Sequence, residues 1–184
     1  MRILGIPGSL RAGSYNRALL EEAQRLAPDG VEVVLHELHD IPLYNADIEA
    51  AGDPGPVRAF KDAIRDADAL LIATPEYNRG VPGVLKNAID WASRPPFGSP
   101  LTEKCVAIVG AGGRRGTAGA QAQLRDALAF PRANILAQSV LVPMAWERFD
   151  EDGRLVDEAT KNQLECLVRA LVSVAQGREL AEVA

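Results

Sequence analysis

Short apolar runs alternate with segments of helical period along this chain, and that alternation restricts the folds it can adopt. Strand-like runs fall at Arg2–Ile6, Val31–Leu35, Ala69–Ala73, Cys105–Val109 and Ser139–Val142. Between and after them lie helical patterns at Asn16–Leu26, Pro56–Asp66, Pro82–Ala92, Ala118–Ala129 and Glu158–Gln176. Leu70-Leu71-Ile72-Ala73 and Val106-Ala107-Ile108-Val109 are apolar without interruption. Strands of that kind are buried on both faces, as in a parallel sheet covered by helices. Five consecutive strand–helix units therefore predict a doubly wound α/β fold, a three-layer sandwich around a five-stranded parallel sheet. Right-handed crossovers leave few topologies.

A polar loop directly after the first strand selects the flavodoxin-like order 2-1-3-4-5, with the ligand at the carboxyl ends of the strands. Residues 1–184 are expected to form a single domain, since no repeat, low-complexity tract or composition shift divides them. Net charge is −5 and the pI is near 5.1, which argues against nucleic acid and anionic membranes as partners. No apolar stretch approaches the roughly 18 residues of a membrane span, and the first strand is too short to serve as a signal peptide core. Cys105 and Cys166 lie in an apolar run and on an apolar helical face, so both are expected as buried thiols rather than a disulfide or a nucleophile. The expected location is the cytoplasm.

Loops after strands one, three and four of such a sheet meet at its carboxyl edge. The first, Gly8–Asn16, carries two hydroxyls (Ser9, Ser14), a guanidinium (Arg11) and an amide (Asn16), and it opens a helix. Helix N-termini expose unpaired N–H groups and a partial positive charge, which suits an anion. The loop lacks the Gly-Lys-Ser/Thr ending of a Walker A motif. It also lacks the bare glycines that bring backbone up to a bridging pyrophosphate. A terminal phosphate held by side chains fits it; an ordinary capped βα turn is the plainer alternative.

The second loop runs Thr74-Pro75-Glu76-Tyr77-Asn78-Arg79-Gly80-Val81-Pro82. Pro75 stiffens the exit from the strand and Pro82 suits the first helical position. Glu76, Tyr77 and Asn78 would then form a rigid shelf whose backbone reads the polar edge of a flat heterocycle. The alternative is a capped helix start with Tyr77 packed on the core. The third loop, Gly110–Gly119, is glycine-rich but not G-x-G-x-x-G, because Arg115 occupies the last position. It suits a backbone wall against a planar ligand. Arg114 or Arg115 could meet a phosphate of an incoming nucleotide; solvated arginines are the ordinary alternative. One phosphate end and two planar-ligand loops describe a mononucleotide with a flat tricyclic head, FMN.

Three irregular segments remain: His36–Gly55, Arg94–Pro100 and Pro143–Gly153. Met144, Trp146 and Phe149 in the last suggest a pocket wall or a subunit interface. His36 and His39, with Asp40 and Asp47 nearby, are weak evidence for a metal, and none is expected.

The chain resembles the NAD(P)H-dependent FMN reductases of flavodoxin-like fold, with chromate- and quinone-reducing members most similar. The resemblance spans about residues 2 to 175. It is carried by Gly8-Ser9-Leu10-Arg11 with Ser14 and Asn16, by Pro75-Glu76-Tyr77-Asn78 with Pro82-Gly83, Leu85-Lys86-Asn87 and Asp90-Trp91, and by the run from Gly110. It implies that Ser9, Arg11, Ser14 and Asn16, with Tyr15 beside them, hold the FMN phosphate. It implies that Pro75, Glu76, Tyr77 and Asn78 line the isoalloxazine and that Gly110, Gly112 and Gly113 border it. It implies hydride transfer from NADPH or NADH to FMN and on to quinones, free flavin, azo compounds or metal oxyanions such as chromate. Turnover would be ping-pong, in a homodimer or homotetramer. The chemistry would be borne by the flavin, with no side chain expected to act as acid or base. The family varies at Arg79-Gly80 and Arg114-Arg115, so no role carries over to them. The alternative is a flavodoxin-type electron carrier without turnover of its own.

Overall fold

The computed structural model describes residues 1–95 and 97–177. Pro96, within the expected 94–100 loop, and residues 178–184, within the expected domain, lie outside the described residues. Five parallel strands, β1 (Arg2–Pro7), β2 (Glu32–Leu35), β3 (Ala69–Ala73), β4 (Cys105–Ala111) and β5 (Asn134–Val142), pair in the order 2-1-3-4-5. The helices are α1 (Tyr15–Leu26), α2 (Ala46–Ala50), α3 (Gly55–Asp66), α4 (Gly83–Ala92), α5 (Ala118–Ala129) and α6 (Glu158–Ala175).

Alternate strand residues face opposite sides of the sheet, and both sides are covered. Ile3, Leu71 and Ala107 pack under α1 and α6 with Leu19, Leu20, Leu164 and Val168. Leu4, Leu70, Ile72 and Ile108 pack under α3, α4 and α5 with Phe60, Ile64, Trp91 and Leu124. Two covered faces are why β3 reads as an unbroken apolar run, and all five of its residues are buried.

Three expectations need correction. β5 starts at Asn134, five residues before the apolar run suggests, because its pairing with β4 slips: Val106 faces Ile135, but Ile108 faces Ser139. The bulge hides the period. Arg125 of α5 closes it, donating to the carbonyls of Leu136 at 2.7 Å and Ala137 at 3.1 Å. Pro82 caps α4 rather than opening it. Cys166 is exposed on α6 and Cys105 is half-buried, and both are free thiols. The helix α2 lies inside the 36–55 segment, capped by Asn45 Oδ1, which accepts from Asp47 N–H at 2.8 Å. Among the described residues no helix is long and apolar enough to cross a membrane.

Candidate FMN site

The β1–α1 loop leaves the sheet at Gly8, whose N–H donates to the Ala73 carbonyl at 2.8 Å. Ser14 caps α1: its Oγ accepts from Arg17 N–H at 3.4 Å. The Ser9 hydroxyl oxygen accepts from Arg11 N–H at 3.3 Å. Both hydroxyl protons stay free to donate outward. The N–H groups of Tyr15 and Asn16 have no partner among the described residues, and the first turn of α1 contains no acidic residue. Arg11 is exposed and lies over the Tyr15 ring, its guanidinium carbon 5.5 Å from the centroid. Tyr15 in turn packs on Phe149 at 4.8 Å. Among the described residues no carboxylate pairs with this donor set, and it matches a phosphate dianion, with three acceptor oxygens and about −1.5 to −2 charge.

Asn16 has a different environment from its loop neighbours. It is buried, its Nδ2 donates to the Ala111 carbonyl at 2.9 Å, and its Oδ1 accepts from Ala111 N–H at 2.9 Å. Its side chain therefore clips the start of α1 to the end of β4, 95 residues away.

The β3–α4 loop is built around a two-residue turn. Tyr77 and Gly80 exchange backbone hydrogen bonds at 3.2 and 3.0 Å. Asn78 (φ 51°) and Arg79 (φ 65°) occupy its tip in the left-handed region. Two consecutive left-handed residues make a type I′ turn, disfavoured for arginine, so something must hold it. The holding groups come from α5. Glu76 Oε2 accepts from Ala120 N–H at 2.9 Å and so caps a helix whose own Thr117 makes no side-chain cap. Gln123 Oε1 accepts from Val81 N–H at 2.8 Å. Gly119 lies so close to the Arg79 carbonyl that a β-carbon there would stand 2.8 Å from it. Tyr77 is 56% exposed, which removes the reading in which it packs on the core.

The β4–α5 loop is the wall between these two. A β-carbon on Gly110 would lie 1.9 Å from Thr117 Oγ1 and 2.5 Å from the Thr74 carbonyl. Only glycine fits where β3, β4 and the start of α5 converge. Gly110→Ala is expected to cost about 1–3 kcal/mol by overpacking. An unchanged urea midpoint would show that the loop yields at no cost. Beyond Gly110, a second tight turn is closed by Gly116 N–H donating to the Gly113 carbonyl at 2.9 Å, with Arg114 and Arg115 at its tip.

The 36–55 segment packs against α4. Asn87 Oδ1 accepts from Tyr44 N–H at 2.8 Å, and Asn87 Nδ2 and Trp91 Nε1 both donate to the Pro42 carbonyl, at 2.9 and 2.8 Å. These contacts tie Asn87 and Trp91 of α4 to the backbone of the segment that follows β2. His36 packs on Phe60, and burial pushes its imidazole below the usual value. His39 instead meets the Leu10 carbonyl at 3.3 Å, so the two rings serve different neighbours. No group of three metal-ligating side chains converges among the described residues. A cavity of about 540 Å³ lined by Met1, Arg2, Gly30, Val31, Glu32 and Asp68 opens at the opposite, amino edge of the sheet.

Glu76 and Gln123 were legible only in part. The sequence singled out Glu76 without its partner on α5, and it passed over Gln123 because an exposed glutamine on a helix is ordinary. Gln121 did leave a signal, a polar residue on the buried face of α5. Its Nε2 donates to Thr117 Oγ1 at 3.1 Å and to the Val140 carbonyl at 3.0 Å.

An anion-ready helix start and two backbone-lined turns lie at the carboxyl edge of a sheet of strand order 2-1-3-4-5, the edge at which flavodoxin-like folds take their ligands. The family model for NADPH-dependent FMN reductases matches residues 1–147, and the chain belongs to that family. An NAD(P)H-dependent FMN reductase of Pseudomonas aeruginosa is 49% identical over 173 residues, covering 93% of each chain. A 2-hydroxy-1,4-benzoquinone reductase of a Burkholderia species is 41% identical, covering 90% of this chain and 91% of its own. Among solved structures, the flavoenzyme NAD(P)H:(acceptor) oxidoreductase FerB from Paracoccus denitrificans superposes with a TM-score of 0.83. It is 34% identical, and the match covers 97% of this chain and 99% of that one.

Proposed function

We propose that residues 1–184 make a single FMN-binding domain that oxidises NAD(P)H and passes two electrons to a small oxidised acceptor, quinones foremost. The observation that carries this is the donor set at the start of α1, which pairs with no carboxylate among the described residues, on the same edge as the two turns held by α5. When bound, FMN supplies a ring that accepts hydride and releases electrons in pairs. The chain's own residues bind and orient. Ser9, Ser14, Arg11 and the N–H groups of Tyr15 and Asn16 hold the phosphate; Asn16 does so through its backbone, its side chain being committed to Ala111. Pro75, Glu76, Tyr77 and Asn78 line one border of the ring, and Gly110, Gly112 and Gly113 line another. Backbone donors on these turns hold negative charge in the manner of an oxyanion hole.

Support for quinones comes from the quinone-reducing relative, whose length this chain nearly matches. Free flavin, azo compounds and metal oxyanions such as chromate are further acceptors to rank in the same assay. Two free thiols fit a reducing cytoplasm. Exposed Leu43, Ile48 and Phe97 fit the buried face of a homodimer or homotetramer.

The test is steady-state NADPH oxidation with benzoquinone by the FMN-loaded protein. Turnover with parallel double-reciprocal lines is expected, since one site serves both substrates. FMN bound without turnover would instead mark an electron carrier of flavodoxin type.

A further inference from the structure

Many arginines of this chain are tied down. Arg17 pairs with Glu21 and Glu37, Arg94 with Tyr44 and Glu49, and Arg148 with Asp157. Arg125 is consumed by the carbonyls of the β5 bulge. Arg114 and Arg115 differ. Both are exposed, and among the described residues neither guanidinium makes a hydrogen bond or an ion pair. They share the tip of the Gly113–Gly116 turn, so the backbone presents two cationic side chains from consecutive positions. Two adjacent cations kept apart from carboxylates, on a chain of net charge −5, suit an external anion of more than one charge.

A flat apolar group is carried on the adjoining turn. The Gly113 carbonyl accepts from Met144 N–H at 2.9 Å, and the Gly112 carbonyl accepts from Ala145 N–H at 3.0 Å. These bonds fix the 3-10 turn Ala145–Glu147 to the base of the arginine turn. Met144, with φ 49°, bends the chain there, and the following Trp146 is 54% exposed. Glu147 on the same turn is exposed and forms no ion pair with either arginine among the described residues. On the Tyr77–Gly80 turn, Arg79 is likewise exposed and unpaired among the described residues, with its carbonyl against Gly119 at the start of α5. A turn carrying an exposed indole, tied by its backbone to a turn carrying two exposed guanidiniums, suits a purine nucleoside with a phosphate on its ribose. The ring stacks, and the forked donors grip the phosphate.

We propose that Arg114, Arg115 and Trp146 form the dock for the adenosine 2′-phosphate end of NADPH, and that this dock makes the enzyme prefer NADPH to NADH. The proposal rests on the oxidoreductase reading and adds the residues that select the nucleotide. NADH carries a hydroxyl where NADPH carries a phosphate of about −1.5 to −2 charge, so the two arginines act on one cofactor and not the other. Arg79 adds positive potential from the Tyr77–Gly80 turn.

Two measurements test it. The first is direct binding, read by Trp fluorescence. Trp91 is buried, so quenching by a surface ligand reports Trp146. Adenosine 2′,5′-bisphosphate is expected to quench it and to bind about tenfold or more tighter than adenosine 5′-monophosphate. That preference should weaken with salt and vanish in the Arg114→Ala/Arg115→Ala double variant. The second is the ratio of kcat/KM for NADPH to that for NADH, which should fall about tenfold or more in the same variant.

Equal binding of the two adenosine phosphates by the parent protein would overturn the dock. So would a variant whose NADPH-to-NADH ratio matches the parent's. A parent that oxidises both nucleotides equally well would also overturn the dock while leaving the oxidoreductase reading intact. A parent that binds the bisphosphate selectively but oxidises neither nucleotide would sustain the dock and sink that reading.

Discussion

Arg11→Ala is expected to lower FMN affinity by roughly ten- to a hundredfold. A charge-assisted hydrogen bond to phosphate contributes about 1.5–3 kcal/mol, and each 1.4 kcal/mol or so is a factor of ten. Among the described residues Arg11 has no carboxylate partner, and it lies over Tyr15, which packs on Phe149. Titrating the flavin-free protein with FMN and following flavin fluorescence reads the change. A variant that binds FMN as tightly as the parent removes Arg11 from the phosphate site. Asn16→Ala makes an informative companion, because it breaks the clip to Ala111 and so acts on folding as well as on FMN.

The largest stability effect should come from a residue far from the flavin loops. Lys61 is only 2% exposed; its Nζ donates to Asp53 Oδ2 at 2.7 Å and lies 5.9 Å from the centre of the Trp91 ring. Asp53→Ala would leave that ammonium buried with the indole face as its remaining attraction. Breaking a buried pair in this way costs about 3–5 kcal/mol. Lys61→Met should cost far less, because it removes the buried charge and keeps the volume, while Asp53, at the rim, can turn to water. Urea unfolding separates the two cases. Equal midpoints for the two variants would mean that the ion pair is not what anchors the start of α3. The consequence reaches the site, since Trp91 also donates to the Pro42 carbonyl and holds the segment that follows β2.

The fold was legible because parallel strands buried on both faces write themselves as unbroken apolar runs, and β3 and β4 do so clearly. The phosphate loop was legible because donor-rich residues between a strand and a helix have few other uses. What the sequence hid were contacts between distant segments. Glu76 reads as a loop carboxylate until Ala120, 44 residues on, supplies its partner. Asn16 reads as a free amide donor until Ala111 takes both of its polar ends. Lys61 carries no signal of its burial in the sequence, since a buried ammonium differs from an exposed one only by where Asp53 lands. β5 was read short because a bulge breaks the strand period without changing composition. Cys166 sits between buried Leu164 and Leu167 in the sequence, which makes it look like part of the apolar stripe of α6, yet it is exposed.

That bulge also bears on how copies of this protein can meet. A parallel sheet has two open edges, and an open edge invites another strand. Here one edge is β2, with four residues. The other is β5, kinked at 136–138 where Arg125 already occupies the outlying carbonyls. Neither edge offers a long, regular row of free N–H and C=O groups. A short β2 and a kinked β5 disfavour continuing the sheet from one molecule into the next, which favours assembly through helix faces and loops and discourages growth into cross-β fibrils.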